Sequence, residues 1–82
     1  MKSEYLIIEV KIEEFEKAVQ CFSEKDVKFS IGAPIITVSL NKDIAYYIQI
    51  LTAHHVYPIS YFRKQESLIE QFHEYAGDDK NE

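Results

Sequence analysis

Three histidines, one cysteine and a scatter of glutamates are the side chains of this 82-residue chain with chemistry to offer. His54 and His55 are adjacent, and His73 is a third imidazole. Zinc sites favour histidines at i and i+4, or hairpin Cys/His spacings. Neighbouring residues on a helix point about 100° apart. The pair therefore reads as a helix C-terminus, where imidazoles meet the last exposed carbonyls. Cys21 falls in the C-terminal half of a helical segment, beside an apolar stripe. That end of a helix does not stabilise a thiolate, so Cys21 reads as a buried structural residue and not a nucleophile. Glu70 and Glu74 stand four apart, on one helix face, and Glu13, Glu14 and Glu16 gather at a helix start. No nucleophile or oxyanion donor accompanies either group, so both read as solvated faces. Glycine occurs only at 32 and 77, which excludes G-x-x-x-x-G-K-[ST] and G-x-G-x-x-G. No residue is assigned to catalysis, to a metal or to a cofactor.

The aromatic side chains are the remaining resource. Six Tyr and five Phe are many for this length. Aromatics on a sheet face can stack RNA bases, but that device needs a basic-aromatic strand. The third strand expected here, 35–40, has neither an aromatic nor a basic residue. The net charge of −5 also disfavours a phosphate-backbone binder. Core and interface packing is the use left for these rings.

The elements that must position them follow from the pattern. Residues 5–10 are apolar on both faces and read as a central, doubly covered strand. Phe15, Ala18, Val19 and Phe22 recur at one-face helical spacing, within a helix expected over 12–22. Residues 27–31 alternate apolar and polar, Gly32-Ala33-Pro34 signals a turn, and 35–40 read as the other arm of a hairpin. Asn41 is placed to cap a second helix with Asp43 in its first turn and Ile44, Tyr47, Ile48 and Leu51 as its buried stripe. Residues 56–62 read as a strand, at an edge or bulged because Pro58 lacks an N–H. Ser67 reads as the cap of a short final helix bearing Leu68, Ile69, Phe72, Tyr75 and Ala76, with Ser67 and Glu70 at capping-box spacing and Gly77 at the stop. Leu68 and Phe72 are expected to anchor that helix.

The order β-α-β-β-α-β, plus a C-terminal helix, predicts an α+β fold. Right-handed crossovers around a hairpin give a ferredoxin-like split βαβ arrangement, with a four-stranded antiparallel sheet and both helices on one face. One domain is expected over 1–77, with 78–82 as a disordered acidic tail. The C-terminal helix must then pack at a sheet edge or on the other sheet face, and an open apolar face would be sized for interaction. A lone cysteine, no apolar run near 18 residues and a start without a signal-peptide core point to a small, soluble, intracellular domain.

The stretch Ser67-Leu68-Ile69-Glu70-Gln71-Phe72-His73-Glu74-Tyr75-Ala76-Gly77 resembles the S-L-E-x-x-F-x-x-x-T-G ending of bacterial ABC-2-type transporter ATP-binding subunits, including the bacitracin and lantibiotic exporters. Ser67, Leu68, Phe72 and Gly77 match, and Glu70 and Glu74 hold acidic positions. Ile69 stands where an acid is usual, and Ala76 replaces the usual Thr. The likeness extends in element order from about Tyr5 to Gly77. It implies a non-catalytic C-terminal accessory domain that docks on the ATPase body or its dimer mate, with Ser67, Leu68, Glu70, Phe72 and Gly77 as packing or interaction residues. It further implies a cytoplasmic location at the inner face of the membrane, contact with a permease only through the full complex, no nucleic acid partner, and nucleotide-binding motifs in an upstream domain. Homodimer formation is compatible with it. The alternative is an ACT-like small-molecule-sensing or protein-interaction domain that dimerises. It has the same element order, but Val10-Lys11-Ile12 enters the first helix without the glycine such effector sites use.

Overall fold

The computed structural model describes residues 2–67. Strand β1 (Lys2–Glu9) is followed by a 3-10 turn (Ile12–Glu14), helix α1 (Phe15–Ser23), strands β2 (Phe29–Gly32) and β3 (Ile35–Ser39), helix α2 (Ile44–Thr52) and strand β4 (Ser60–Ser67). The sheet order is β2-β3-β1-β4, antiparallel at every step. β3 lies between β1 and β2, and β1 lies between β3 and β4, so each βαβ unit encloses a strand of the other. The α+β class and the four-stranded antiparallel sheet expected from the sequence are observed.

Register explains the core. Leu6 faces Val38 and Ile8 faces Ile36 across β1 and β3. All four are fully buried, in one cluster with Ala18, Cys21 and Phe22 of α1 and with Tyr47, Ile50 and Leu51 of α2. Both helices therefore cover the same sheet face. Burying each such side chain contributes about 1.5–3 kcal/mol. The helical stripes account for the choice: Phe15, Ala18, Val19 and Phe22 return to one side of α1, and Phe15 and Val19 are partly buried against the cluster. The Phe22 and Phe29 rings, 5.9 Å apart and tilted, join α1 to the hairpin.

Several expectations need correction. β1 is central, but among the described residues helices cover only one of its faces. The apolar run Tyr5-Leu6-Ile7-Ile8 splits by strand alternation, and Tyr5 and Ile7 point away from the helices. The first helix begins at Phe15, because residues 12–14 take a tighter turn and leave Ile12 exposed. Asn41 does not cap α2. Asp43 holds the N-cap position, without a side-chain capping bond. Asn41 is instead tied to the core tyrosine: its N–H donates to Tyr47 Oη at 3.0 Å, and that hydroxyl donates to Asn41 Oδ1 at 2.7 Å. This bond satisfies the polar tip of a ring that is otherwise buried.

The last strand also shifts. β4 begins after Pro58, at Ser60, and runs through Arg63-Lys64-Gln65-Glu66 to Ser67, a charged stretch that the hydropathy pattern leaves outside any strand. It pairs with β1 over its whole length, from Lys2 opposite Ser67 to Glu9 opposite Ser60. The edge placement expected from Pro58 is observed, with Pro58 in the connection and not in the strand. Ser67 is the last residue of β4, and the helix it was expected to cap lies outside the described residues. Leu68, Glu70, Phe72 and Gly77, the rest of the final helix and the acidic tail lie outside the described residues.

Candidate docking surface

The sheet face that no helix among the described residues covers is built by the odd-numbered residues of β1 and their cross-strand partners. Tyr5 stands between Ser39 and Lys64, and Ile7 between Thr37 and Phe62. Directly opposed residues in an antiparallel sheet share a face, so these side chains form one surface. Tyr5, Ile7 and Thr37 are half-buried, and Phe62 is 56% exposed. A hollow of about 200 Å3 lies between Tyr5, Ile7, Thr37, Lys64 and Glu66. A second, of about 220 Å3, lies between Tyr5, Lys28, Phe29, Ser30, Thr37 and Ser39. Small-molecule sites usually enclose about 300–1,000 Å3. These shallow hollows suit side chains of a docked protein better than an enclosed effector. A Lys64–Glu66 ion pair at 3.2 Å borders the surface and, with both side chains in reach of water, contributes little to stability.

A second apolar region, exposed among the described residues, adjoins β4. Tyr57, Ile59 and Tyr61 are each at least half exposed. Tyr61 faces Ile8 on the helix side of the sheet, yet neither helix reaches far enough to cover it. The Ile59 N–H donates to Glu9 O at 2.8 Å, which fixes the approach to β4.

The residues first considered for chemistry are placed otherwise. His54 and His55 lie in the turn that follows α2. His55 has φ 63°, the left-handed region that a C-terminal turn requires. Its N–H donates to Thr52 O at 2.9 Å, and the Val56 N–H donates to Leu51 O at 3.0 Å, while Val56 and Leu51 are both buried. This is a Schellman ending. His54 Nδ1 lies 3.1 Å from Ile50 O, so in the Nδ1–H tautomer the ring satisfies a terminal carbonyl. Among the described residues no group of three His, Cys, Asp or Glu side chains is placed to hold a metal. His73 lies outside them. A left-handed non-glycine residue costs roughly 1–2 kcal/mol, and the added chain entropy of glycine returns part of that. His55→Gly should therefore stabilise the domain by about 0.5–1 kcal/mol, read by denaturant unfolding.

Cys21 is 3% exposed. Burial first, and the nearby Glu24 carboxylate second, push its thiol above the ordinary range, with Lys17 opposing. The unfolded thiol ionises first as pH rises, so its contribution to stability is complete below the ordinary thiol pKa and is lost as pH rises through the folded value. A thiol reagent at neutral pH should label the native chain at least about tenfold more slowly than the unfolded chain, because access requires opening. Equal rates would contradict the burial of Cys21.

Tyr5, Ile7 and Thr37 are surface residues that composition and spacing do not single out. The available signal was a central strand apolar on both faces beside a fold whose crossovers cover only one. No helix among the described residues is long and apolar enough to cross a membrane. No protein-family model, curated protein or solved structure matches this chain.

Proposed function

We propose that this domain is a non-catalytic accessory domain of an ABC transporter ATP-binding subunit, acting by docking its open sheet face on the ATPase body. The observation that carries the reading is the continuous Tyr5, Ile7, Thr37 and Phe62 surface, on the sheet face opposite the helices. A fold that leaves apolar side chains on one sheet face gains by covering them with a partner. The resemblance of the 67–77 ending supports this choice of partner, and it implies work on the cytoplasmic side of a membrane, reached through the full transporter. In this role the chain positions an ATPase and performs no reaction itself.

The test is a titration of the purified chain into the ATP-binding protein of an ABC exporter from the same genome. Saturable binding is expected. It should weaken at least tenfold in Ile7→Asp, which places a carboxylate in the centre of the contact, while circular dichroism remains that of the parent. Absence of saturable binding, or equal binding by Ile7→Asp, would overturn the reading. A saturable rise in melting temperature with free amino acids would favour the effector-sensing alternative instead.

A further inference from the structure

We draw no further inference here: the strongest candidate, the exposed apolar patch of Tyr57, Ile59 and Tyr61 beside β4, carries nothing because nothing in the structure shows what covers it.

Discussion

Replacing Phe22 by Ala should cost the domain about 3–5 kcal/mol. Phe22 is fully buried and is among the largest buried side chains. It sits where α1 meets the sheet, with its ring against Phe29 of β2. Truncation removes contact with both layers, and the rigid sheet beneath α1 cannot close the void. A domain of this length has a total stability of roughly 4–12 kcal/mol. The variant should therefore unfold early in a urea titration, with a melting temperature lower by about 4–8 °C for each kcal/mol lost. A loss below about 1 kcal/mol would mean that α1 does not pack through this ring.

Two neighbouring isoleucines of β1 should answer oppositely to the same change. Ile8→Ala should cost about 2–5 kcal/mol, because Ile8 is fully buried against Ile36 and the helices. Ile7→Ala should cost about 1 kcal/mol or less, because Ile7 is half-buried on the open face and water already reaches it. The contrast tests register directly. A slip of one residue would exchange the two faces and reverse the order of the two losses. Equal losses would mean that a second layer covers the open face.

The helical stripes and the hairpin were legible because each rests on a local pattern. Phe15, Ala18, Val19 and Phe22 repeat at the helical period, and two short alternating runs flank Gly32-Ala33-Pro34. Arg63-Lys64-Gln65-Glu66 concealed a strand because β4 is held by its ladder with β1, a long-range cause that leaves no apolar alternation in a strand exposed on both sides. Asn41 looked like a cap from its type and position. Its bond to Tyr47 depends on the fold bringing the ring back over the loop. The open sheet face was half legible: the apolar character of Tyr5 and Ile7 was plain, but which face of β1 the helices cover is decided by crossover geometry. The His54-His55 pair was legible as a helix ending, while the left-handed turn at His55 that explains it belongs to the backbone.

Side-chain footprinting with hydroxyl radicals, with and without the ATP-binding protein, tests the central claim most directly. Docking through the open face predicts that Tyr5 and Ile7 become protected while Tyr46 and His54, on the helix layer, react as before. Unchanged reactivity at Tyr5 and Ile7, or protection confined to Tyr46 and His54, would contradict it.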